Sequence, residues 1–156
     1  MRLHICAVGR LRTGPELALL DDYLMRFERT GRALSLGPAL VHAVEDKKGG
    51  GREAEAVLLA RTIPAGALVC ALDERGRLMT SPDFASQIAV WRDGGQQDLA
   101  FLIGGADGIA PALLGQAASS LSFGKMVWPH LLARVMLAEQ LYRAASILSG
   151  SPYHRA

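Results

Sequence analysis

The chain has 156 residues, half of them hydrophobic and 21% charged, with a formal net charge of +2. That length suits one domain with a full core, here taken as residues 1–156, and the composition excludes a disordered or fibrous chain. With nine Lys/Arg in residues 1–52 and eight in the rest, the charge is small and evenly spread, and offers no electrostatic argument for a nucleic-acid partner.

Leu3–Val8 reads as a short strand closed by Gly9. Pro15–Thr30 carries Leu17, Leu20, Leu24 and Phe27 at helical spacing. Leu34–Val44 is expected to be a second strand, and residues 45–52 a flexible basic loop leading into a helix over Arg52–Thr62. Ala67–Leu72 is a continuous apolar run, the pattern of a strand buried on both faces. Asp73-Glu74-Arg75-Gly76 is expected to turn the chain, and Ser81 to cap a helix with Pro82 in its first turn and Gly94-Gly95 at its end. Leu99–Ile103 is a further buried strand, followed by Gly104-Gly105-Ala106-Asp107-Gly108, a short helix over Pro111–Ala118 and a short strand over Ser120–Phe123. The last helix, Pro129–Ser149, is apolar nearly all round, so more than one side must be covered, and a second subunit is the expected cover. Strand–helix alternation of this kind predicts an α/β fold with a largely parallel sheet.

Cys6 and Cys70 each sit in an apolar run, the setting of buried free thiols, and without a CxxC or His/Cys cluster no metal site or disulfide is expected. The N-terminal run is shorter than that of a signal peptide and no segment is long enough to span a bilayer, so a cytoplasmic protein without membrane contact is expected.

Ligands of open α/β sheets bind beyond the carboxyl ends of the strands. Three such ends are glycine-containing here: 72–76, 104–108 and 122–126. Glycine lets a ligand approach the backbone, although turn formation is the commoner reason for it. Neither GxGxxG nor GxxxxGK[ST] occurs. His4, His42 and His130 read as structural. Arg134 and Glu139 lie on an apolar helix and need partners, from a second subunit or an anionic ligand. The chain then ends on Tyr153-His154-Arg155, held off the helix by Gly150 and Pro152. A phenol, an imidazole and a guanidinium side by side can stack on a base, exchange a proton and clamp a phosphate; an ordinary helix stop is the alternative.

The ordered series Gly104-Gly105-Ala106-Asp107-Gly108, Leu121–Met126, Trp128-Pro129-His130, Arg134-Val135, Glu139–Ala144 and Pro152–Arg155 resembles the ribosomal RNA large subunit methyltransferase H family, the pseudouridine N3-methyltransferases of the SPOUT superfamily. The resemblance spans the chain and is least diagnostic over residues 34–62. It implies a deep C-terminal trefoil knot, a class of topology that periodicity alone does not reveal. It also implies a homodimer, and S-adenosylmethionine bound by Leu72, Gly104 and the stretch Phe123, Gly124, Lys125, Met126, Val127 and Trp128. The implied substrate is pseudouridine 1915 of 23S rRNA within the 70S ribosome or large subunit. In that setting His154 is the expected proton acceptor, Tyr153 would stack on or orient the base, and Arg155, with Arg134 as second choice, would hold phosphate. A SPOUT enzyme for another RNA nucleotide and a non-catalytic dimeric ribosome-binding protein remain the rival readings.

Overall fold

The computed structural model describes residues 1–154. Five strands form one parallel sheet in the order β2-β1-β4-β3-β5, from β1 (Arg2–Val8), β2 (Ala39–Val44), β3 (Leu68–Leu78), β4 (Asp98–Ile103) and β5 (Ser119–Ser122). The central strand β4 is buried along its whole length, which is why it reads as an unbroken apolar run. Alternate side chains serve opposite faces. Leu3, Ile5, Leu99 and Phe101 pack with Leu20, Phe27, Ile88 and Leu141 beneath α1 (Pro15–Gly31), α3 (Ser81–Asp93) and α5 (His130–Leu148). On the other face Cys6, Val8, Ala71 and Leu102 pack with Leu59 of α2 (Gly51–Ala60) and Leu113 of α4 (Pro111–Leu114).

Four local expectations are corrected. β2 begins at Ala39, because Arg32–Leu34 forms a single 3-10 turn and Pro38 has no N–H for a ladder bond. Residues 73–76 do not turn the chain: β3 continues past a register irregularity, and Arg77 and Leu78 pair again with Leu121 and Ser122. Gly76 permits this, since a Cβ there would stand 2.7 Å from the Leu121 carbonyl carbon. The cap of α3 is Thr80, in a reciprocal box with Asp83, while Ser81 lies 2.8 Å from Gln140 on α5. α4 stops at Leu114 instead of reaching Ala118.

The cover of α5 differs too. It packs against α1 and α3 as well as the sheet, and Leu137 and Leu141 are fully buried inside a single chain. A second subunit is not required to cover that face of the helix.

At the amino edge of the sheet, His4 and His42 serve the fold, as expected. His4 Nε2 lies 2.8 Å from Asp98 Oδ1 and Nδ1 lies 3.0 Å from His42 Nε2. Arg2 donates to both Asp98 oxygens at 2.7 Å. These bonds hold the Asp98 carboxyl below the usual carboxylate range, Arg2 contributing most.

Candidate active site

The carboxyl ends of β3, β4 and β5 open into a common groove. Leu72, Gly104, Phe123, Gly124, Met126, Val127 and Trp128 all line it, so three segments far apart in sequence converge there. Lys125, expected in the same set, is exposed and does not belong to the lining. Asp73, Glu74, Gly105, Ala133 and His130 are also among the walls. His130 was missed as a site residue because a histidine opening a helix reads as structural; its place after an exposed Trp128-Pro129 was the available signal.

The sequence explains the shape. Gly104 directly follows β4, and a Cβ at that position would stand 2.5 Å from the backbone carbon and oxygen of Gly108. Residues 104–108 therefore fold back on themselves, with an isolated bridge between Gly105 and Gly108. Glycine is demanded here by the loop's own closure. Gly124 has φ +118, a conformation that side chains disfavour. Ser122 Oγ accepts from the Gly124 N–H at 3.1 Å and lies 3.1 Å from the Glu74 carbonyl, joining the ends of β3 and β5. The Arg75 guanidinium holds the Asp73 carboxyl below its ordinary value. Met126 and Val127 are 72% and 82% exposed, an apolar rim over the groove's mouth.

Arg134 does not meet the expectation of a phosphate contact in this chain. It is 1% exposed, and its Nη2 donates to the carbonyls of Val8 at 3.0 Å and Gly9 at 2.7 Å. Its Nε is buried without a partner among the described residues, and burial lowers its pKa. Glu139 likewise finds its partners within the chain, accepting from Arg143 and from the Tyr153 hydroxyl at 3.1 Å.

Tyr153 packs on α5. The Tyr153 ring lies 4.4 Å from that of Tyr142, with the Arg143 guanidinium 5.0 Å from its centroid. Burial, then the Glu139 charge, pushes the phenol up to about 12, so it is a neutral hydrogen-bond donor at pH 7. His154 is half-buried, its Nδ1 without a partner among the described residues. Arg155 lies outside the described residues. Glu139, the first of the Tyr153 contacts along α5, stands nine residues beyond His130, roughly 14 Å along the axis, and neither Tyr153 nor His154 lines the groove.

Residues 1–154 match the family described as Predicted SPOUT methyltransferase. The ribosomal RNA large subunit methyltransferase H of Ruegeria sp. (strain TM1040) is 68% identical over 155 residues, 99% of each chain. That of Dinoroseobacter shibae is 66% identical over the same coverage. Among solved structures, a probable methylase family protein from Haemophilus influenzae Rd KW20 superposes with a TM-score of 0.52 at 13% identity, covering 99% of this chain and 70% of that one, a likeness of fold alone. At such identity over nearly the full length, the chain belongs to the ribosomal RNA large subunit methyltransferase H family of SPOUT methyltransferases.

Proposed function

We propose that this protein transfers the methyl group of S-adenosylmethionine to N3 of pseudouridine 1915 in 23S rRNA, on the assembled ribosome or large subunit, as a cytoplasmic homodimer. The observation that carries the reading is the groove at the ends of β3, β4 and β5. Its donor set fits the cofactor. Leu72, Ile103, Leu121, Phe123 and Trp128 offer apolar surface for a purine, and the glycine turns at 104–105 and 124 offer backbone amides and carbonyls for polar groups. When bound, S-adenosylmethionine supplies a methyl group already activated by its sulfonium. The work left to the chain is alignment of that methyl with the ring nitrogen, and alignment of this kind is worth about 7–11 kcal/mol of barrier.

Tyr153, His154 and Arg155 are assigned to the RNA side, as stacking, hydrogen-bonding and phosphate-binding groups. The distance of Tyr153 from the groove is the reason the dimer belongs to the proposal: a tail acting at a groove would come from a second copy. An apolar depression bounded by Leu19, Tyr23, Val135 and Met136, sharing Phe123 with the groove, supports such a contact.

Two measurements test the reading together: calorimetric titration with S-adenosylmethionine, and methyl transfer to ribosomes carrying either uridine or pseudouridine at the target position. Cofactor binding with methylation of the pseudouridine ribosomes alone is expected. Binding without transfer to either would leave a ribosome-binding module, and equal transfer to both would contradict the pseudouridine substrate.

A further inference from the structure

The carboxyl edge of the sheet has a second wall with no part in cofactor binding as read above. It is built from three elements: the Val8-Gly9 end of β1, Glu55 on α2 and the first turn of α5. Arg134, through its bonds to the Val8 and Gly9 carbonyls, ties α5 to β1. One turn earlier on α5, His130 is thereby seated on Gly9, where a Cβ would stand 3.1 Å from its Nε2. The Glu55 carboxylate is seated on Gly105 in the same way, with a Cβ there 3.0 and 3.1 Å from its two oxygens. Gly105 and His130 both line the groove. Glu55 and His130 are half-buried, and no hydrogen bond or ion pair within the described residues engages either side chain.

We propose that Glu55 and His130 form the acceptor-side wall of the groove, His130 taking the ring N–H proton of the base being methylated and Glu55 stabilising the imidazolium that results. The inference rests on the methyl-transfer reading and gives the proton to His130 in place of the tail's His154. As the N–C bond forms from the nitrogen pair, the proton leaves that nitrogen for a free imidazole nitrogen, and the pair of the broken C–S bond stays on sulfur. Burial first, then the Arg134 charge, lowers the His130 pKa from its ordinary 6.5, with Glu55 opposing. The ring is therefore neutral at pH 7 and has one nitrogen free to accept. Arg134 on its own helix and Glu55 on α2 are the charged groups that bear on it, while β1 presents backbone at Gly9.

The test is single-turnover methylation of pseudouridine-bearing ribosomes by full-length wild type, H130Q, E55Q and H154Q across pH 5 to 9, with S-adenosylmethionine affinity measured by calorimetry. H130Q is expected to bind the cofactor within about threefold of wild type yet to react about 10²–10⁴-fold more slowly. Its profile should lose the wild-type fall in rate on the acid side. E55Q should move that acid limb to lower pH, because a group that raises the imidazole pKa has been removed. In a second arm, H130A should gain rate as free imidazole is added. An H130Q protein with the wild-type rate or profile would overturn the proposal, as would H130A indifferent to imidazole. So would a loss of cofactor affinity as large as the loss of rate, which would make His130 a cofactor contact. A wild type inactive on these ribosomes would sink the functional reading itself, a result distinct from an active wild type matched by H130Q.

Discussion

Gly104 shows how one hydrogen atom in place of a side chain shapes the site. Because the atoms that a Cβ would strike are the backbone of Gly108 and Ile109, no rotamer change can relieve the clash. Gly104→Val should displace the 104–108 loop, cost about 1–3 kcal/mol of stability, and weaken S-adenosylmethionine binding at least 100-fold. Melting and calorimetry read the two effects separately. Undiminished affinity in a folded variant would remove the loop from the site. Asp98 offers a test at the opposite edge. Its folded-state pKa lies below the unfolded value, so its stabilisation is present above about pH 4 and is lost as pH falls through the folded pKa. Asp98→Asn should lower the urea midpoint at pH 7 and converge with wild type near pH 2. Parallel curves over that range would mean that the carboxylate contributes nothing through its ionisation.

At the scale of elements, α5 is the member on which core and site both depend. Leu141 is fully buried against the chain's own helices. Leu141→Ala should therefore cost about 2–5 kcal/mol in urea unfolding whatever the protein concentration. A cost that vanished on dilution would instead assign this residue to a subunit contact. The elements most legible in the sequence were those whose pattern is local: the apolar runs of β1 and β4, and the helical spacing of α1. β2 was drawn too long because Leu34 and Leu36 are apolar for a different reason, Leu36 filling the core from a turn at 2% exposure. The continuation of β3 was hidden by charges that look like a turn, and its cause, the contact of Gly76 with Leu121, is tertiary. The groove was legible because glycines at strand ends and the family-like motifs pointed to the same segments. The Glu55–His130 wall was not: His130 falls in the Trp128-Pro129-His130 motif, but Glu55 lies in no pattern and only the sheet's topology brings it to the same edge.

For the whole molecule, the proposed dimer raises the question of which surface would meet a second copy. Leu19 is 45% exposed on α1 and borders the depression that α1 forms with α5. An exposed leucine at the edge of an apolar depression is the contact a second copy would cover. Leu19→Arg should convert a micromolar dimer to a monomer in analytical ultracentrifugation with an unchanged circular dichroism spectrum. A variant still dimeric would move the interface elsewhere, and a monomeric wild type would remove it from the proposal.

The strand order also governs how the chain is made. β1 emerges first from the translating ribosome, but its inner neighbour is β4, which ends at residue 103 of 156, and β3 waits for β5. The helix that covers one face arrives later still. Leu3, Ile5 and Phe27 thus wait through most of synthesis for their partners on β4 and α5, in a topology whose distant pairings fold slowly. A newly made chain is therefore expected to lean on chaperones, and growth conditions that exhaust chaperone capacity should lower its soluble yield.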